Sequence, residues 1–514
     1  MPRKPKPKNT LSAGERVALY LAEQEEKQRA LSGELDLSNE NGAPEEKTVQ
    51  TKPYEEKKAA PRSLPKPHYA TVNVDLSLVT GEVKAMHGVC NGPVSYGSDI
   101  SSLFREIGVP SVRFDSADGS MTRRGIDVSS IFPDMNADPS IPENYNFEYT
   151  DKYIVAAYNS GAEVILRFGE SLDMLEERDT LPPESIDIWV HICMNILRHY
   201  NDYWAGGFAY GINRFEIWSS SGKAEDLPCE AELYSRLANA IKIYDDSLSV
   251  GGMCFGVSSS NLREFLKYCK KNRAPLDFIT LECISGDVDE TAKAVESVAM
   301  LLGNLGFDQT EIIIGKWCYI DKDITAAIDP KAALRRGGND ANHLKKEIFE
   351  SQGSVKGAAY VTALITRLSE IGGVVGAHLY DAQPMISPFC AICDRFGKPQ
   401  KPFYALRAFG QLYRAGAQVL CRTEQNEGFA HNGIYSMAAI NGNGEAYVLV
   451  SSFGGCGVVD LRIDGISNDV YSADVYLLDG VKDMELGTSV PLSGMKKRLI
   501  INLSEYGVAL IKLY

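Results

Sequence analysis

Nowhere does this chain reach about 18 consecutive apolar residues, the length a helix needs to cross a bilayer, so no membrane span is expected. Its opening, Met1-Pro2-Arg3-Lys4-Pro5-Lys6-Pro7-Lys8, also lacks the apolar run of a secretory signal. Excess positive charge is missing too. The net charge is -15, and beyond residue 70 only 40 Lys and Arg face 57 Asp and Glu. A body this acidic argues against nucleic acid or an anionic membrane as its main partner. Clustered cysteine is the last absence. The eleven cysteines, an odd number, are scattered through apolar segments (Cys90, Cys193, Cys254, Cys283, Cys318), which predicts reduced core thiols in a cytoplasmic protein, not a disulfide framework. Cys390-Ala391-Ile392-Cys393 is a lone C-x-x-C without a second pair at zinc spacing, so no metal and no cofactor are expected.

What is present is a chain of 514 residues, 44% hydrophobic, enough for a large core and a second smaller domain. Residues 1–67 stand apart: rich in Pro, Lys, Glu, Asn and Ser and poor in aromatics, they cannot bury enough surface to offset ordering, and a disordered tail is predicted. Within it, Ser12-Ala13-Gly14-Glu15 is a capping box leading into Val17-Ala18-Leu19-Tyr20-Leu21, which predicts a short helix near 12–30 that is either solvated or a dock for a protein partner.

From residue 71 onward, apolar runs of strand length alternate with helical patterns, as in a parallel sheet with crossover helices. Eight runs can be counted: Met86–Asn91, Ser111–Ser116, Val164–Gly169, Arg214–Ser220, Gly251–Gly256, Phe278–Cys283, Ile312–Trp317 and Val374–Tyr380. Eight such units predict a (β/α)8 TIM barrel over 68–412. After Arg414, short strands are split by turns such as Asn441-Gly442-Asn443-Gly444, which predicts a β-sandwich over 413–514. The clean alternation of Thr71–Leu76 predicts a strand that joins the sandwich, not the barrel.

Barrel enzymes carry their chemistry at the C-terminal ends of the strands. Strand four reads Phe215-Glu216-Ile217-Trp218-Ser219-Ser220-Ser221 and strand seven ends in Gly315-Lys316-Trp317, 96 residues from Ser220 to Lys316, close to three units of about 31 residues. With these stretches the chain resembles glycoside hydrolase family 39, where strand four reads Phe-Glu-Ile-Trp-Asn-Glu-Pro and strand seven ends in Glu-Trp. The likeness extends over residues 71–514 through Val112-Arg113-Phe114-Asp115, Arg167-Phe168-Gly169-Glu170 and Pro399-Gln400-Lys401-Pro402-Phe403-Tyr404. It implies a xylosidase-like glycosidase acting on a glycoside or oligosaccharide, with a general acid/base and a nucleophile at the positions that here read Ser220 and Lys316. Strand six departs as well, since the family's His-x-Tyr is Glu282-Cys283-Ile284.

A retaining glycosidase needs two carboxyl groups about 5–5.5 Å apart. Serine neither protonates a leaving group nor activates water at neutral pH, and an ammonium repels an oxocarbenium-like transition state. The expectation is therefore a barrel that binds carbohydrate or acts as a scaffold without retaining hydrolysis. The alternative is an active glycosidase with a relocated pair, Glu282 and Glu170. Glu216 shares strand parity with Ser220 but lies deeper, in the barrel interior. For Glu282 an ion pair with Lys316 is favoured over a rescue role. Trp218 and Trp317 are candidate sugar-stacking platforms or barrel-mouth packing. Arg113, Asn91, His378 and Tyr380 sit near predicted strand ends, where they could meet sugar hydroxyls.

Overall fold

The computed structural model describes residues 68–514 apart from 171–184, 325–338, 426–432 and short stretches at 96, 116–117, 121–122, 125, 322–323, 385–386, 455–456, 467–470 and 493–496. The tail and its predicted helix lie outside the described residues.

Strand β1 (His68–Glu82) precedes eight parallel strands: β2 (Ala85–Cys90), β3 (Ser111–Arg113), β4 (Glu163–Phe168), β5 (Arg214–Ile217), β6 (Ser249–Gly252), β7 (Phe278–Ser285), β8 (Glu311–Tyr319) and β9 (Val374–Leu379). They pair in the order β6-β5-β4-β3-β2-β9-β8-β7, and Gly251 opposite Phe278 closes the ring. Closure depends on two glycines. A Cβ at Gly251 would lie 2.3 Å from the Phe278 carbonyl oxygen, and one at Gly252 (φ +146°) 2.4 Å from that of Ile217, so β6 approaches both neighbours only without side chains there.

The crossover helices follow from caps and apolar spacing. Helix Ile186–Asn201 starts where Ser185 accepts the Ile188 N–H, and buries Trp189, Ile192, Cys193, Ile196, Leu197 and Tyr200 at helical spacing. Asp287 and Ser354 cap Val288–Leu305 and Val355–Ser369 in the same way. Val355–Ser369 is apolar on nearly every face because it lies between barrel and sheet; the Ser451 hydroxyl donates to its Ala359 carbonyl at 2.9 Å.

Beyond the barrel come β10 (Ala417–Gln425), β11 (Ile434–Ile440), β12 (Ala446–Phe453), β13 (Gly457–Asp464), β14 (Tyr471–Leu478), β15 (Asp483–Leu492), β16 (Lys497–Leu503) and β17 (Tyr506–Leu513). With β1 they form one nine-stranded sheet ordered β15-β14-β17-β12-β11-β10-β1-β13-β16. One set of side chains, including Val72, Val74, Val448, Leu461, Ile501 and Ile511, forms the sheet's own core, while Met437, Leu449, Val508 and Leu510 pack into the barrel core. β1 runs antiparallel to β10 and parallel to β13, so the strand preceding the barrel belongs to the sheet that follows it.

Candidate functional site

The residues at the strand ends are organised by a bulge. Along β7 and β8, Leu281 pairs with Ile314 but Glu282 pairs with Lys316, so Gly315 is the extra residue. A Cβ there would sit 3.0 Å from Arg113 Nε. The Gly315 carbonyl, turned inward, accepts from Arg113 Nη1 at 3.1 Å and from the Cys90 thiol at 3.0 Å. The bulge re-aims Lys316. Although Glu282 is its ladder neighbour, Lys316 Nζ lies 2.8 Å from Asp115 Oδ2 and 4.2 Å from the centre of the Tyr380 ring. The expected Glu282–Lys316 ion pair is thus corrected to Asp115–Lys316, because the extra residue turns the lysine across the barrel toward β3.

Both partners are buried, and electrostatics fixes their charge. Burial alone would strip the proton from Lys316, but Asp115, with Tyr380 and Glu282 behind it, outweighs desolvation and holds the ammonium well above its ordinary value. Burial likewise disfavours the Asp115 carboxylate, yet Lys316, Arg113 and Arg167 together pull its pKa well down. Asn91 Oδ1 accepts the Asp115 N–H at 3.0 Å, and Arg167 Nη2 donates to the Asp115 carbonyl at 2.5 Å.

Beneath this pair lies a second one. Arg113 grips Glu216 with Nε at 2.5 Å and Nη2 at 2.8 Å, and the Thr280 hydroxyl donates to the same carboxylate at 2.9 Å. Glu216 is fully buried in the barrel interior. Arg113 and Asn91, expected near sugar hydroxyls, are instead fully buried and engaged by protein groups. Tyr380 is buried as well, its ring facing the lysine on one side and 5.4 Å from Phe389.

His378 is a further correction. Its Nε2 meets the Ser111 hydroxyl at 2.9 Å, and it shares a small cavity with Ala85, Glu163 and Arg214, residues that begin their strands. That is the opposite end of the barrel from the strand ends expected to carry chemistry. Burial pushes its imidazole down to about 3, so it is neutral.

Neither tryptophan offers a platform. Trp218 is 2% and Trp317 0% exposed, and Trp218 packs edge-on against Trp189 at 5.9 Å. The reason is local: Trp218 takes a left-handed backbone (φ +63°), ending β5 at Ile217 and turning the ring toward the helix layer. The strand-four motif therefore leaves the sheet three residues before Ser220.

Ser220 and Ser221 are held by a residue that the sequence pattern did not flag. Glu230, buried in the helix Leu227–Tyr244, accepts the Ser221 N–H at 2.8 Å and the Ser220 hydroxyl at 3.5 Å. Burial raises its pKa. The usable sequence signal was a lone acid among the buried positions Leu227, Ala231, Leu233 and Tyr234 of an amphipathic helix.

The two remaining carboxylates differ in setting. Glu170, after β4, accepts the Ser129 N–H at 2.9 Å and its hydroxyl at 2.5 Å; burial, with the Asp127 charge adding, pushes its pKa up to about 7. Asp381, which follows Tyr380, accepts the Gln383 N–H at 2.9 Å, and burial raises its pKa to about 7 as well. Glu282 is half-buried beside Lys316. No group of three or more His, Cys, Asp or Glu among the described residues has metal-holding geometry.

This is a glycosidase-type (β/α)8 barrel whose strand-four and strand-seven termini carry a serine and a paired lysine. Residues 135–351, which include both termini, match the family model for glycosyl hydrolases family 39. A β-xylosidase of Geobacillus stearothermophilus is 24% identical over 174 residues, a match spanning 30% of this chain and about a third (33%) of that protein. Among solved structures, a glucosidase from Croceicoccus marinus superposes with a TM-score of 0.68 at 20% identity, covering 87% of this chain and 99% of that one. A monomeric β-xylosidase from Caulobacter crescentus CB15 gives a TM-score of 0.60 at 15% identity over 86% of this chain and 99% of that one. These likenesses establish the fold.

Proposed function

We propose that this chain is a family 39 barrel that binds a glycoside or oligosaccharide without cleaving it by the retaining mechanism. The observation carrying this reading is the Asp115–Lys316 pair at 2.8 Å. The family's nucleophile position is occupied by a buried ammonium, which has no lone pair to attack an anomeric carbon and whose charge opposes the oxocarbenium-like transition state. The pair also removes Asp115 as a substitute nucleophile, since its carboxylate is spent on Lys316 and Arg113. The xyloside and glucoside specificities named for the similar proteins suggest the sugars to try. Calorimetry with xylo-, gluco- and uronic-acid oligosaccharides tests it: heat of binding without released sugar is expected, whereas hydrolysis lost in Glu282→Gln overturns it.

One observation favours a second reading, an active glycosidase using Glu170 as acid and Glu282 as its partner. A carboxyl held at about 7, as in Glu170, suits a general acid at neutral pH. In that case Glu170→Gln would lower the rate and flatten the alkaline limb of a measurable pH–rate profile; no rate above background removes the reading.

The described cysteines carry free thiols, which supports a reducing, cytoplasmic setting. Residues 1–67 serve as a docking segment for a protein partner. Pull-downs with full-length and 68–514 chains test this, and identical partner sets count against it.

A further inference from the structure

On the opposite end of the barrel from Ser220 and Lys316, four aromatic rings lie nearly parallel in a row. Tyr158 stacks on Tyr210 (4.1 Å, 25°), Tyr210 on Phe208 (4.7 Å, 11°), and Phe208 aligns with Tyr200 (6.1 Å, 2°). The inner end is fixed: Tyr200 is buried and donates to Asp151 at 2.9 Å. Asn201 holds the segment carrying Phe208 and Tyr210, bonding both the N–H and the carbonyl of Ile212 at 2.8 and 2.9 Å. The outer end is open, with Tyr158 47% exposed.

Tyr158 and Tyr210 wall a cleft of about 500 Å³. Gly161 (φ +87°) and Gly211 (φ +65°) border it, and a Cβ at either would meet no atom within 4 Å, so the space beside them is vacant. Glu163 and Asn213 stand exposed at its edge, and Arg214, also in the wall, is paired with Glu311 at 2.9 Å.

We infer that this cleft is a second carbohydrate site, taking a neutral sugar unit of an oligosaccharide against the Tyr158–Tyr210 stack. Three features select that class of ligand. An exposed tyrosine face suits the CH face of a pyranose, and the anchored stack has already lost the side-chain freedom that binding would otherwise cost. The volume falls within the ordinary range of small-ligand pockets, and the amide of Asn213 and carboxylate of Glu163 are complementary to hydroxyls. Among the described residues the one cation in the wall, Arg214, is already paired with Glu311, so an anionic sugar gains nothing there. The inference deepens the binding role proposed above but stands on a separate surface, at the other end of the barrel.

Hydroxyl-radical footprinting of the full-length protein, with and without saturating xylohexaose or cellohexaose, reads the cleft directly. Oxidation of Tyr158 should slow roughly threefold or more on binding, and calorimetry should show an affinity about tenfold weaker for this site in Tyr158→Ala, with Tyr158→Phe close to wild type. Ser220→Trp, which alters the strand-four terminus at the other end, should leave the Tyr158 protection unchanged. Binding with no change at Tyr158 overturns the second site while keeping the mouth reading. Protection of Tyr158 with all binding heat surviving Ser220→Trp keeps the second site and removes the mouth reading. Absence of any binding overturns both. Because footprinting uses the wild-type chain, a poorly folding alanine variant does not blur the result.

Discussion

Lys316 Nζ stands 2.8 Å from Asp115 Oδ2, across the barrel from its ladder neighbour Glu282. Each charge is buried and each is the main partner of the other, so removing Asp115 leaves Lys316 without its nearest counter-charge. Asp115→Ala should cost about 3–5 kcal/mol in urea unfolding, while Asp115→Leu combined with Lys316→Met should cost much less. Equal losses in the single and double variants would show that the pair is not the source. The sign with pH also follows. The folded Asp115 pKa lies below its ordinary value of 3.8, so its contribution is complete above about pH 4 and fades as pH falls further.

Asp381 predicts the opposite slope. Burial raises its pKa to about 7 from an ordinary 3.8, so the folded chain holds a proton there that the unfolded chain has released. Wild-type stability should therefore decline relative to Asp381→Asn as pH rises from about 4 to about 7, then run parallel above it. Unfolding free energies measured at intervals from pH 4 to pH 8.5 read this; a constant difference between the two proteins refutes it.

Glu230 ties the Ser220–Ser221 segment to the helix behind it through the Ser221 N–H at 2.8 Å. Glu230→Ala leaves that N–H without its acceptor and should cost about 1–3 kcal/mol, whereas Glu230→Gln keeps an acceptor oxygen and should stay within about 1 kcal/mol of wild type. Thermal melts of the two variants side by side decide the matter.

Restoring the family's two carboxylates tests the proposed loss of hydrolysis from the other direction. Lys316→Glu alone would set a carboxylate against Asp115, raising both pKa values, so it should remain at background. Ser220→Glu with Lys316→Glu and Asp115→Asn removes that repulsion and should release nitrophenol from an aryl xyloside or glucoside at least about tenfold faster than wild type. A wild-type rate equal to that of the triple variant would contradict the binding role.

The barrel was legible because each of its eight strands is an apolar run too short for a helix and bounded by turn residues. Its ends were less so. The strand-four pattern reads as continuous to Ser220, but Trp218 leaves the ladder at φ +63°, a conformation that composition does not announce. In the sheet, β15 exposes most of its side chains, so no apolar alternation marks it. The error over His378 has a different source: it stands one residue from the end of β9, yet its ring points toward Ser111 and the strand starts.

Sequence by itself determined the class of fold, since hydrophobic period is a local property that survives without coordinates. It also put a lysine, Lys316, at the end of the seventh barrel strand. Which acid neutralises that lysine was decided only by the tertiary structure. One extra residue at Gly315 rotates the end of β8, and a 2.8 Å contact between residues 201 positions apart depends on that rotation and on the curvature of a closed barrel, neither of which is written in any short stretch of chain.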